Sequence, residues 1–269
     1  MADRPRETRR MGRISDEEGQ LSYGSYLRIP ELLQLQTPIG EPAAHDEHLF
    51  IVVHQAFELW FKEMVFELTS ARDAMFAGET YRPRHYLERV HAILRILIEQ
   101  IAVLETMSPQ DFLEFRSNLS PASGFQSVQF REIEFVSGLK HKGHLRLAET
   151  DEERERLDRR LEEPTLWDGF RALMEHHGLP MPEDDEENRR TSLLKMHRDR
   201  EAFAEVFALS EALLSYDELF AQWRVHHVLM VEREIGTKTG TGGSSGAQYL
   251  RGTLDSRFFP ELWDLRSHL

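Results

Sequence analysis

From residue 45 to residue 76, apolar side chains return at helical spacing without a break. Phe50, His54, Phe57, Phe61, Met64 and Leu68 follow one another at steps of four, three, four, three and four. At 3.6 residues per turn these positions share one face, so the stretch predicts a single long helix that other helices must cover. Residues 84–106 repeat the pattern with Leu87, Val90, Leu94, Leu97, Ile101 and Leu104, after a Pro83 placed where a helix can begin. Residues 199–235 read as another long helix, with Phe203, Val206, Leu213, Phe220, Trp223, His227 and Met230 along one side. No strand-like alternation is sustained and there is no internal repeat. The expected class is all-α, a helical bundle of long helices with residues of about 149–200 as a small helical insertion.

The shorter segments carry local signals. Ser108-Pro109-Gln110-Asp111 offers a capping serine, a proline at the first helical position and an acid at the third, opening a short helix to about residue 119. Pro121-Ala122-Ser123-Gly124 ends it, and a further helix is expected from Phe125 to about Ser137. Residues 149–163 are nearly all charged and of both signs, which predicts an exposed or partner-facing helix with few core contacts. An acidic loop follows from Pro180 to Asn188. Residues 236–246, Gly-Thr-Lys-Thr-Gly-Thr-Gly-Gly-Ser-Ser-Gly, predict a flexible loop.

Composition narrows the functions open to such a bundle. The net charge of −14 argues against a nucleic-acid binder and against attachment to an anionic membrane. The absence of cysteine removes disulfides, iron–sulfur clusters, thiolate-bound haem and cysteine nucleophiles together, and fits a reducing cytoplasm. Any metal must be held by His, Asp or Glu, with Tyr a rarer option. The longest clean apolar run, Leu49 to Val53, is far short of the roughly 20 residues a membrane-crossing helix needs. The first residues, MADRPRETRRMGR, lack the apolar stretch of a secretory or twin-arginine signal, so residues 1–20 are expected to be a polar tail.

Two histidines stand out because each sits on an apolar stripe: His54 between Phe50 and Phe57, and His227 between Trp223 and Met230. A single histidine there is usually a satisfied core residue, but a neutral imidazole in a dry pocket is also a good iron ligand or hydrogen-bond partner. Spacing alone does not say which does which. Arg116, one turn after Phe112, is either a surface or salt-bridged group, with Glu114 or Glu132 as partner, or a fork for a carboxylate. The glycine-rich loop lacks the spacing of a Walker A motif, and its free backbone N–H groups and hydroxyls suit a carboxylate if it is more than a linker. Glu88-x-x-His91 has the spacing used in di-iron bundles, but those need two such pairs and only this one occurs. His141 with His144, and Asp46 and Glu47 with His45 and His48, are weaker metal candidates; the first pair sits among basic residues expected to be exposed.

Taken together, five stretches resemble the tryptophan 2,3-dioxygenase family: Leu21-Ser-Tyr-Gly-Ser-Tyr-Leu27, residues 46–61 (DEHLFIVVHQAFELWF), Asp111-Phe-Leu-Glu-Phe-Arg116, Pro121-Ala-Ser-Gly-Phe-Gln-Ser127 and Gly240-Thr-Gly-Gly-Ser-Ser-Gly246. Each is short, but their order and combination are specific, and they span nearly the whole chain from residue 21. The resemblance implies a single helical domain over 21–269 with haem b between its helices. It implies a homotetramer that converts L-tryptophan and O2 to N-formyl-L-kynurenine. His227, which precedes Val228-Leu-Met-Val231, matches the axial ligand of the haem iron in preference to His226, and His54 matches the distal, catalytic histidine. Ser123 and Gly124 fall at the cofactor. Arg116 matches the group that binds the substrate carboxylate, Thr241 the loop residue at its amino-acid end, and Phe50 and Phe112 the walls around the indole. Ile51, Val52 and Val53 accompany Phe50 and His54 in the same substrate-binding stretch. Family members often have Tyr at the position of Phe112, so a hydroxyl contact made there is lost in this chain. Tyr23, Tyr26 and Leu27 match a segment that reaches into a neighbouring subunit's site.

Overall fold

The computed structural model describes residues 21–269; the tail expected at residues 1–20 lies outside the described residues. Twelve α-helices and no strand occur among them. The chain divides into two units, one ending at Thr37 and the other running from Pro38 to Leu269.

The first unit contains helices α1 (Tyr23–Tyr26) and α2 (Ile29–Leu32). Ser22 caps α1, its hydroxyl accepting from the Ser25 N–H while the Ser25 hydroxyl accepts from the Ser22 N–H. Tyr23 and Tyr26 are exposed.

In the second unit, α3 (His45–Phe76) is the helix that the first stripe predicts. Helix α4 (Tyr81–Leu104) starts two residues before Pro83, which occupies the third helical position and loses no intrahelical bond there. The inward faces of α3 and α4 meet: Met64, Leu68, Leu87, Val90, Leu94 and Leu97 are fully buried in one core. Truncating any of these leucines to alanine costs about 2–5 kcal/mol by the usual range for core cavities. Helix α5 (Pro109–Arg116) has the expected cap, with the Ser108 hydroxyl accepting from the Asp111 N–H at 3.2 Å and donating to its carboxylate at 2.6 Å. A 3-10 turn at 124–126 precedes α6 (Val128–Val136).

The charged stretch forms α7 (Asp151–Glu162), with acids in its first turn and arginines in its last, the order the helix dipole favours. It is not merely solvated. Leu157 is fully buried against Val128 and Phe135, and Arg156 and Arg160 both pair with the buried carboxylate of Glu132 on α6. Helices α8 (Leu166–His176) and α9 (Glu186–Arg198) complete the region expected to be a small insertion. Leu166, Phe170, Leu173, Met174, Leu193 and Met196 of this region belong to the main core. Gly169 lets α8 lie directly on α3, because a Cβ there would stand 3.0 Å from the Arg72 carbonyl oxygen.

Helix α10 (Ala204–Ile235) matches α3 in length but starts later than the apolar pattern suggests, since residues 199–203 form a turn that ends α9. Helices α11 (Ala247–Arg251) and α12 (Pro260–Leu265) close the chain. The buried Asp217 of α10 holds the C-terminal segment by accepting from the Phe258 and Phe259 N–H groups and from Trp263 Nε1 at 2.9–3.1 Å. No helix among the described residues is long and apolar enough to cross a membrane.

Candidate active site

A cavity with two wings opens between α3, α5, α6 and α10, and both wings share His54, Gly124 and His227. The larger wing, about 520 Å³, is walled by Phe57, Phe61, Phe130, Trp223 and Met230 and reaches Arg131, Arg224 and His144 at its far end. The smaller, about 200 Å³, is lined by Phe50, Phe112, Arg116, Ser123, Thr241 and Glu234. Their combined size lies within the range of small-molecule and cofactor sites.

The periodicity of α3 explains half of this wall. Phe50 and His54 lie one turn apart on the cavity face, and their rings are 4.0 Å apart. The His54 Nδ1–H donates to the Phe50 carbonyl at 2.7 Å. A carbonyl only accepts, so the proton is fixed on Nδ1; burial holds the imidazole's pKa below its ordinary value and keeps the ring neutral. Nε2 is therefore left with a lone pair. Ile51, Val52 and Val53 do not line either wing. At 100° per residue they rotate off the His54 face: Val53 is buried in the core and Val52 is exposed.

On α10 the same spacing brings Trp223, His227, Met230, Val231 and Glu234 to the cavity. The His227 ring stacks on Trp223 at 5.0 Å and is tilted from it by 14°. Burial, with a smaller contribution from His54, pulls its pKa down to about 4, so it too is neutral. Its remaining accessibility is to the cavity, and neither ring nitrogen bonds to a described residue. His226, the neighbouring candidate, points outward and is exposed.

Arg116 takes neither of the salt-bridge partners expected for it. One Nη donates to the Thr239 carbonyl, which anchors the guanidinium to the glycine-rich loop with its other donors available to the smaller wing. That loop is folded rather than a loose linker. The Gly240 N–H donates to the Ser244 carbonyl, and Gly246 has φ of +62° and approaches Lys238 so closely that a Cβ would be 2.5 Å from its carbonyl oxygen. The Thr241 hydroxyl donates to the Ala122 carbonyl at 2.7 Å, so what it presents to the wing is an acceptor. Phe112 stacks beside Phe50 at 5.8 Å. Tyr23, Tyr26 and Leu27 belong to the other unit.

The metal alternatives find no site. Among the described residues no group of three or more His, Cys, Asp or Glu is placed to hold an ion. The His91 Nε2–H donates to the Ala212 carbonyl, as in a satisfied core histidine, and Glu88 pairs with Arg84. His144 differs from its reading as an exposed basic residue: it stacks on Phe135 and lines the larger wing, where burial pulls its pKa down to about 4.

Several wall residues escaped the sequence reading. Phe125, Phe130 and Tyr249 look like ordinary core aromatics, and only the fold brings them to the cavity. Glu234 had a signal: it is a charged residue one turn beyond Met230 on an otherwise apolar stripe.

The chain matches the family described as Tryptophan 2,3-dioxygenase over residues 8–188 and 186–269. It is 53% identical to a protein named tryptophan 2,3-dioxygenase from Nocardioides sp., covering 95% of this chain and 97% of that one. Proteins of the same name from Herpetosiphon aurantiacus and Serratia proteamaculans are 44% and 40% identical, covering 93% and 95% of this chain and 98% and 96% of theirs. The chain belongs to the tryptophan 2,3-dioxygenase family.

Proposed function

We propose that the two-winged cavity is where this chain carries out the reaction of its family, the oxidation of L-tryptophan by O2 to N-formylkynurenine. The observation that carries the assignment is the junction of the wings. Two neutral histidines from different helices meet there, beside a pocket with an arginine and a hydroxyl acceptor at its end.

The family is haem-dependent, and the larger wing fits such a group. It is mostly apolar, His227 offers an unprotonated, unbonded imidazole nitrogen on its wall, and no cysteine competes. Three buried polar atoms around it, Trp223 Nε1, Arg131 Nε and His144 Nδ1, have no hydrogen-bond partner, which suits a guest with carboxylates. His227 would hold the haem iron, with Ser123 and Gly124 beside the cofactor. Haem b, ferrous in the active state, supplies the activation of O2 when bound.

The smaller wing fits the amino acid. The Arg116 guanidinium, braced by Thr239, offers two parallel N–H donors to the carboxylate. Thr241 Oγ1 accepts from the ammonium group. Phe50 and Phe112 flank the indole. Anchoring both ends of the amino acid fixes the C2–C3 bond of the ring in place, which converts a collision into a positioned reaction. The lone pair on His54 Nε2 accepts the indole N–H. An imidazole whose pKa is depressed by burial is a weak base, so His54 orients that proton and need not remove it.

A homotetramer suits the outer faces. Val52, Leu59 and Phe66 are exposed at intervals of seven on α3, and Ile96 and Val103 repeat the interval on α4, which is the spacing of a helix-packing seam. We assign Tyr23, Tyr26 and Leu27 to a neighbouring subunit's site within that assembly. The cysteine-free composition suits the cytoplasm.

The purified, reduced holoprotein given L-tryptophan and air should accumulate the near-ultraviolet absorbance of N-formylkynurenine. Haem binding with no product would identify a carrier or sensor instead.

A further inference from the structure

Glu234 lies on the wall of the smaller wing, only 6% exposed, and both carboxyl oxygens are occluded with no hydrogen-bond partner. A buried carboxyl left without partners is costly, and natural proteins keep few such groups without a use. The nearby cation does not serve it: Arg233 points outward and reaches Glu105 at 3.9 Å. Glu105, at the C-terminal end of α4, is a like charge that disfavours ionisation. From α5 the wing receives Arg116, already bonded to Thr239, and from the loop it receives the neutral Thr241. Burial raises the Glu234 pKa above its ordinary value, with Glu105 adding to the rise and Arg233 opposing it.

Position along the helix shows what the group faces. Glu234 is seven residues beyond His227 on the same side of α10, about 10 Å along the axis at 1.5 Å per residue. Arg116, Thr241 and Glu234 all line the smaller wing, and none of them lines the larger. An amino acid held there by its carboxylate on Arg116 brings an ammonium group with three N–H donors. Thr241 can accept one of them.

We propose that Glu234 is a specificity-determining residue of the substrate pocket: it is the anionic acceptor for the substrate's ammonium group, turning into the wing when the amino acid binds. This rests on the assignment of the smaller wing to the amino-acid end of tryptophan. At a pH below the raised pKa the empty pocket holds the carboxylic acid, and binding replaces it with a carboxylate paired to the ammonium. The zwitterion keeps its three ammonium protons, and the carboxyl proton goes to solvent. Ligands with the same ring and carboxylate but no amine do not trigger this ionisation. The device selects α-amino acids over other indole acids and makes their binding proton-linked.

The test is calorimetric binding to the ferric holoprotein, which does not turn over, with L-tryptophan and indole-3-propionate as ligands in two buffers of different ionisation heat. Wild type should release up to about one proton with tryptophan and none with indole-3-propionate, most clearly at a pH below the raised pKa. Glu234→Gln should weaken tryptophan by about tenfold or more, the scale of a charged hydrogen bond, and leave indole-3-propionate within about twofold. Its proton release should vanish. Glu234→Met, of similar volume, should behave likewise and should melt no lower than wild type in the ligand-free state, because it removes an unpartnered carboxyl. An unchanged ratio of the two affinities, unchanged proton release or a lowered melting temperature in Glu234→Met would each overturn the proposal. The underlying site assignment fails separately, if Arg116→Ala leaves the binding of both ligands to wild-type strength.

Discussion

Helices α3 and α10 are each 32 residues long, and each presents one neutral histidine to the same cavity, yet the two imidazoles are held differently. His54 is tied through Nδ1 to the carbonyl one turn back, which fixes its tautomer and aims one lone pair. His227 is held by stacking on Trp223, and no described residue claims either of its nitrogens. Burial is the main reason that both are neutral. The two rings thus differ in how their second nitrogen is held, and the division into orienting group and iron ligand is the one proposed from the family.

The largest effect should come from removing the uncommitted imidazole. His227→Ala should abolish turnover, and His227→Gly should regain part of it when imidazole is added to fill the space. Full activity in either without imidazole would erase the distinction between the helices.

Next in size is the amino-acid end. Arg116→Lys should raise KM for L-tryptophan by about tenfold to a hundredfold, because a point charge cannot replace the fork. The substrate analogue tryptamine, which lacks the carboxylate, should be poor with wild type and no worse with the variant. A larger effect of the variant on tryptamine than on tryptophan would move Arg116 away from the carboxylate.

His54→Ala should be milder, lowering kcat by about tenfold from loss of one buried hydrogen bond while the cofactor stays bound. A fully loaded but dead variant would show that His54 removes a proton rather than orienting it.

Smaller still is a pH effect on the cofactor-free chain. The folded pKa of His227 is about 4 against an ordinary value of 6.5, and that of His54 is also lowered. Between these limits the unfolded chain takes up protons that the folded chain refuses. Stability is therefore full above about pH 6.5 and falls as the pH drops toward 4. His227→Phe should flatten the part of this slope that His227 supplies; an unchanged slope would mean that the imidazole is not buried neutral. The smallest change is expected for His226→Ala. His226 is exposed, and spectra and rates should match wild type.

Much of this architecture was legible in the sequence because it is periodic. The bounds of α3 follow from its stripe, and the cap of α5 from Ser108, Pro109 and Asp111. Periodicity also set His54 and His227 on buried faces, while resemblance to a family was needed to divide their roles. What escaped depends on long-range packing. Leu166 and Phe170 join the main core because Gly169 permits close approach to α3, which no local pattern announces. The charges of α7 concealed that Arg156 and Arg160 serve a buried glutamate on another helix. The family resemblance sets Val52 and Val53 in one stretch with Phe50 and His54, and helical rotation carries them to other faces.

The most direct test of the division between the two helices is the reduced-minus-carbon-monoxide absorbance spectrum of the protein purified as wild type, His54→Ala and His227→Ala. A full haem Soret band is expected in the first two, and its loss or marked shift in the third. A normal band in His227→Ala with loss in His54→Ala would contradict it.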